Sequence, residues 1–165
     1  MTETELQTVL GDLIRGWENE VVEFKRGNDA FSTQDIGKYF SAISNEANLR
    51  SKDRDWLVFG VDDKTHSIVG TTYRDERSRL DALKHDIANG IEPSITFREI
   101  HELRAPEGRV ILFEIPAAPR GIPISWRGHI ILGTGKVWPR LGLINGTRST
   151  QTATTDWTAQ VVDEA

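Results

Sequence analysis

Glu23 and Lys25 carry the first chemistry that the sequence suggests. They stand in ENEVVEFKR (18–26), where Val21, Val22 and Phe24 read as part of a β-strand. A strand returns side chains to the same face every second residue, so Glu23 and Lys25 point together while Val22 and Phe24 point the other way. A carboxylate and an ammonium on a buried strand cost free energy unless they serve each other or a ligand. The E-x-K spacing occurs in many metal nucleases of other folds, because it sets an oxygen ligand for a cation beside a positive charge for phosphate. The plain alternative is a structural ion pair. A second acidic group, Asp62 and Asp63, ends another apolar run in GVDDKTHSIVG (60–70). Aspartates at such a place also serve as ordinary turn residues through local hydrogen bonds.

Glu18 is harder to place. It lies five residues before Glu23, which on a straight strand puts it on the opposite face. To join Glu23 it must precede the strand, at a bend following Gly16 and Trp17. Other candidates carry less. His66, His85, His101 and His129 show no metal-ligand spacing, and GTGK (133–136) lacks the length and the following Ser or Thr of a phosphate loop. Trp17, Trp56 and Trp126 can stack on bases, although packing is the commoner use of tryptophan.

The elements that must position these groups follow from periodicity. Leu6, Val9, Leu10, Leu13 and Ile14 predict an amphipathic helix over 2–15, with Thr2 and Glu5 as a capping box. The charged strand spans 20–25, and GND (27–29) turns the chain. Ser32 and Asp35 cap a second helix running to about residue 49, with Ile36, Tyr39, Phe40, Ile43 and Ala47 as its buried stripe. A charged loop, RSKDRD (50–55), leads into WLVFGV (56–61), a central strand that returns through Ile68 and Val69 as a hairpin. Leu80, Leu83, Ile87 and Ile91 mark a third helix over 75–91, stopped by Pro93. Ile95, Phe97 and Ile100 alternate as a half-buried strand, PEG (106–108) turns, and VILFEIP (110–116) is a strong strand. AAPRGIPI (117–124) reads as a loop packed over the sheet. The order α-β-α-β-β-α-β-β predicts an α+β domain, with a mixed or antiparallel sheet packed with about three helices.

Composition sets the outer bounds. A chain of 165 residues is one domain's worth. It has no cysteine, which excludes disulfides, thiolate zinc sites and thiol nucleophiles. No apolar run approaches the roughly 18 residues of a membrane span, and the acidic N-terminus lacks the layout of a signal peptide, so a cytoplasmic location without membrane contact is expected. The net charge of −5 argues against coating nucleic acid by bulk electrostatics, yet 119–150 holds Arg120, Arg127, Lys136, Arg140 and Arg148 with no acidic residue. That basic segment suits a nucleic-acid reader about as well as a solvated surface.

ENEVVEFKR (18–26), SAISNEAN (41–48), WLVFGVDDKTHSIVG (56–70) and PRGIPISWRGH (119–129) together resemble the Schlafen AlbA-type domain, also named as a divergent AAA or DNA-binding domain. The pattern of that family runs E-S-x-x-V-E-F-K, S-A-x-x-N, G-V-D-D and I-V-G. The resemblance covers roughly 12–129 and implies a Schlafen AlbA-type core over 16–129, preceded by the helix of 1–15. In vertebrate Schlafen endoribonucleases three carboxylates of the pattern bind metal. By resemblance these are Glu18, Glu23 and Asp63, with Lys25 beside them and Mg²⁺ or Mn²⁺ as the ion. The resemblance implies a nucleic-acid-binding domain, for RNA or DNA, within a longer bacterial regulator or defence-type protein. It carries a candidate RNA-cleaving site and leaves room for a homo-oligomer. The alternative is a non-catalytic DNA-binding or ATP-binding regulatory module.

Three departures stand out. Asn19 replaces the usual Ser or Thr, RSKDRD replaces a Gly-Gly turn, and IILGTGKVWPR follows His129 where the family continues with aromatic, arginine and GES-like residues. One back-translation of GKVWP, shifted by one base with a G upstream, reads GESLA. Residues 130–165 are therefore expected to be atypical, disordered or, over about 130–150, translated out of frame; an unbroken reading frame on resequencing ends the last expectation.

Overall fold

The computed structural model describes residues 1–16, 22–28, 30–133, 148–152 and 159–163, with Gly133 and the last two segments described by backbone alone. Helix α1 (Glu3–Ile14) forms where its leucine periodicity places it, and the Thr2–Glu5 capping box closes its first turn. Strand β1 (Val22–Lys25) leads into α2 (Thr33–Leu49), whose start is closed by a second capping box between Ser32 and Asp35. Strand β2 (Arg54–Phe59) and helix α3 (Arg77–Gly90) follow. They are succeeded by β3 (Ile91–Glu92), β4 (Glu99–Ala105), β5 (Gly108–Pro116), β6 (Ser125–Trp126), β7 (His129–Gly133), β8 (Arg148–Thr152) and β9 (Ala159–Asp163).

Two sheets result. The first has the order β1-β2-β5-β4, with β1 parallel to β2 and the other pairs antiparallel. The second, antiparallel throughout, has the order β3-β6-β7-β9-β8. The fold is therefore α+β, with three helices among the described residues, a mixed four-strand sheet and an added antiparallel sheet. No helix among the described residues is long and apolar enough to cross a membrane.

The first sheet is covered on both faces, which explains the unbroken apolar run of β2. Leu57 and Phe59 face α2 and α3, joining Ile36, Phe40, Ile43, Leu80, Leu83, Ile111 and Phe113 in the larger core. Trp56 and Val58 face α1, joining Leu6, Leu10, Leu13, Phe24, Val110 and Leu112. Each buried leucine of α1 contributes roughly 1.5–3 kcal/mol of transfer free energy, enough to hold an N-terminal helix against fraying.

Three expectations need correction. The strand expected over Ile95–Ile100 lies instead at Glu99–Ala105, paired in register Glu99↔Glu114 to Ala105↔Gly108. Phe97 is in the core without joining the ladder. Segment 117–124 packs against α2 rather than over the sheet: Ala118 N donates to Ser44 O, Asn48 Nδ2 to Pro119 O, and Ile124 N to Asn45 Oδ1. The second sheet was not anticipated, because β3 and β6 are only two residues long. The return through Ile68 is a single antiparallel bridge to Val61. Of the segment expected to be atypical, 134–147, 153–158 and 164–165 lie outside the described residues.

Candidate nucleic-acid interface

β1 is an edge strand, and its register against β2 fixes which way its side chains point. Glu23 lies opposite Leu57 and Lys25 opposite Phe59, so both acquire the α2-facing side. Phe24 turns to the α1 side, where its ring lies 4.7 Å from that of His66. Lys25 Nζ sits 3.1 Å from Glu23 Oε1, with the side chains 17% and 10% exposed. The same ammonium stands 5.5 Å from the centroid of the Tyr39 ring, on α2, and hydrogen-bonds its hydroxyl.

The protonation states follow. Burial by itself would pull the Lys25 ammonium down, but the charge of Glu23 and the contacts with Glu23 and Tyr39 outweigh it and raise the pKa. Burial raises the Tyr39 phenol, against the opposing pull of Lys25 and with the support of Glu23. At neutral pH the corner therefore holds the Lys25 ammonium paired with the Glu23 carboxylate, beside a neutral phenol.

The aspartates lie where β2 ends. Gly60 has φ +97°, and a Cβ there would run into the backbone carbonyl of Arg109, so only glycine fits. Its N–H donates to Lys25 O at 2.9 Å, tying the end of β2 to the end of β1. Asp62 is committed to structure: Oδ1 accepts from Lys64 N and Thr65 N at 2.9 Å and from Thr65 Oγ1 at 3.1 Å, while Oδ2 accepts from Arg26 at 2.6–2.8 Å. The Thr65 amide, then Arg26 and the Lys64 amide, hold its carboxyl well below the usual range. Asp63 is exposed and engages no side-chain partner among the described residues.

Of the four predicted site residues, Glu23 and Lys25 are brought together on one face, Asp63 stands free on the neighbouring turn, and Glu18 lies outside the described residues, as does the bend required of it. No cluster of three or more His, Asp or Glu among the described residues is disposed to hold a metal ion. Glu23 is also ion-paired with Lys25, so the described donors do not make a complete ligand set for Mg²⁺ or Mn²⁺.

The remaining candidates resolve into packing. Trp56 and Trp126 are both 1% exposed, and Trp17 lies outside the described residues. Trp126 fills the space over Gly37 and Gly90, where a Cβ would overlap the indole, and donates from Nε1 to Gln34 at 2.9 Å. His101 is buried with Glu114 at 2.9 Å, and His66 Nδ1 meets Ile14 O at 3.2 Å. Arg120 and Arg127 are exposed; Lys136 and Arg140 lie outside the described residues. Periodicity placed Tyr39 in a buried stripe and gave Phe31 no role, although both rings stand at this corner. Asn45 is a further residue whose role sequence alone did not give. It donates to Ile124 O and Ile131 O and accepts from Ile124 N, clamping the second sheet to α2.

No curated protein matches the sequence. Among solved structures, the DIP2311 protein from Corynebacterium diphtheriae aligns with a TM-score of 0.51 at 20% identity over 79% of this chain. The present chain spans only 24% of that protein's length. The N-terminal domain of a RecG-related protein from Nitrosomonas europaea aligns with a TM-score of 0.48 at 18% identity, over 94% of this chain and 95% of that one. A family model described as Schlafen, AlbA_2 matches residues 18–142. Because that match runs from Glu18 through β7 and over more than half of the sequence, the chain belongs to the Schlafen AlbA_2 family.

Proposed function

We propose that this chain is a nucleic-acid-binding module that grips the polynucleotide at the edge of β1. The observation that carries this reading is the Lys25 ammonium, held charged and half-buried beside Glu23 at 3.1 Å. A partly desolvated ammonium loses less to screening than one in bulk water, and a phosphate reaching it would share it with the Glu23 carboxylate. Membership of the Schlafen AlbA_2 family supports the same partner class.

A second reading adds turnover, favoured by the E-x-K pair standing side by side as its spacing predicts. In it Glu18, Glu23 and Asp63 supply oxygen ligands to Mg²⁺ or Mn²⁺, and structured RNA is the substrate. The ion would neutralise charge on the phosphate and activate water. Lys25 would orient the scissile phosphate, and Glu23 would hold Lys25 in place between turnovers.

One experiment separates the two. The purified chain is incubated with tRNA and with single-stranded DNA in Mn²⁺, Mg²⁺ or EDTA, and fragments and retained complex are both followed. A binding module retains polynucleotide equally in EDTA and yields no fragments. A metal-dependent nuclease yields fragments in metal alone and loses them in Glu23→Gln, which still binds. Equal fragment yield from Glu23→Gln assigns the cleavage to a contaminant, and failure to retain any polynucleotide overturns both readings.

A further inference from the structure

Of the ten Phe, Tyr and Trp side chains among the described residues, eight are buried; the two that are only partly buried are Phe31 and Tyr39. They are neighbours, with ring centroids 6.3 Å apart and planes inclined at 43°. Both stand at the Lys25 corner. Phe31 sits on the loop between β1 and α2, braced from behind by Phe59 at 4.9 Å and fixed by its own N–H to Asn28 O at 3.1 Å. Tyr39 projects from the second turn of α2 to meet the Lys25 ammonium. Arg26 and Lys38, the chain neighbours of Lys25 and Tyr39, are exposed.

Exposed aromatic surface costs hydration free energy, and the other rings among the described residues are buried. Two partly exposed rings, tilted against each other beside the Lys25 ammonium, provide apolar ring surface together with a phosphate contact. Single strands are bound by that combination, since every unpaired base offers a π-face at the spacing of the backbone charge. A duplex offers only its phosphates, because its base faces are already stacked.

We propose that this corner takes an unpaired nucleotide, with the base against Tyr39 and Phe31 and the phosphate on Lys25. The assignment rests on the nucleic-acid reading above and adds to it a substrate class: single-stranded or looped polynucleotide of either sugar in preference to duplex.

The test is fluorescence anisotropy with the full chain and an end-labelled strand of about 12 nucleotides, as DNA and as RNA, alone and annealed to its complement. The single strand is expected to bind about tenfold tighter than the duplex. Tyr39→Leu keeps an apolar side chain over the core but removes the flat ring, and it should bring the ratio of the two affinities close to one. Tyr39→Phe should preserve the ratio. Should Tyr39→Leu fail to fold by circular dichroism, Phe31→Leu serves in its place, with the same expectation. Equal affinity of the wild type for strand and duplex overturns the inference and leaves nucleic-acid binding standing, as does a ratio unchanged in the leucine variants. Absence of binding to every probe overturns the parent reading as well.

Discussion

Lys25 keeps its proton because Glu23 and Tyr39 stabilise the ammonium by more than burial penalises it. The sign of that shift has a consequence for binding. A lysine whose folded pKa lies above 10.5 holds its charge, and the stability it contributes, at every lower pH, losing both only as the pH rises through the folded value. Polynucleotide affinity at constant ionic strength should therefore stay level between about pH 6 and about pH 9, well below the titration of a lysine. Equilibrium titrations across that range check this, and a loss of affinity centred near pH 7–8 would assign the contact to another group. The pairing of Glu23 with Lys25 was legible in the sequence, because a period of two is unambiguous on a short strand. Tyr39 was not, since its place in the helical stripe says that it faces the sheet. It does not say that the strand beneath it is an edge, and Tyr39 reaches Lys25 on β1. Asp62 was legible as a turn residue and Asp63 as its neighbour, but neither could be told from a ligand without the Arg26 and Thr65 contacts.

At the scale of elements, α2 joins the two sheets. Its polar residues Ser44, Asn45 and Asn48 face segment 116–131 rather than solvent, and each bonds to backbone more than 70 residues away in sequence. The S-A-x-x-N pattern was visible, but its partners were not, because nothing local announces which distant carbonyl an asparagine will meet. Asn45→Ala would leave Ile124 N, Ile124 O and Ile131 O without this partner in a buried setting, at about 1–3 kcal/mol for each group left unsatisfied. Urea unfolding should show a loss of about 3 kcal/mol, and a loss under about 0.5 kcal/mol would mean that the clamp is dispensable. Asn45→Asp should also destabilise, since a carboxylate accepts but cannot donate to two carbonyls. The bounds of β4 were misplaced for a related reason. Its polar residues find partners across the sheet, His101 with Glu114 and Glu102 with Arg109, so the strand does not alternate plainly in polarity.

For the whole molecule, the α+β class, the helices and the central strands could be read from periodicity. The second sheet could not, because two of its strands are dipeptides and β8 is polar along its length. The net charge of −5 sets the character of the interaction. A net acidic body disfavours a polyanion except where cations are presented, so binding should be local, carried by few phosphates and correspondingly shallow in salt dependence. The most direct test of that claim is the affinity of Lys25→Gln for a single strand, titrated over a series of salt concentrations beside the wild type. Binding should weaken, with the slope of log K against log salt reduced by about 0.7, the share of one phosphate contact on a single strand. A variant that matches the wild type in both affinity and slope would show that the β1 edge is not where the polynucleotide is held.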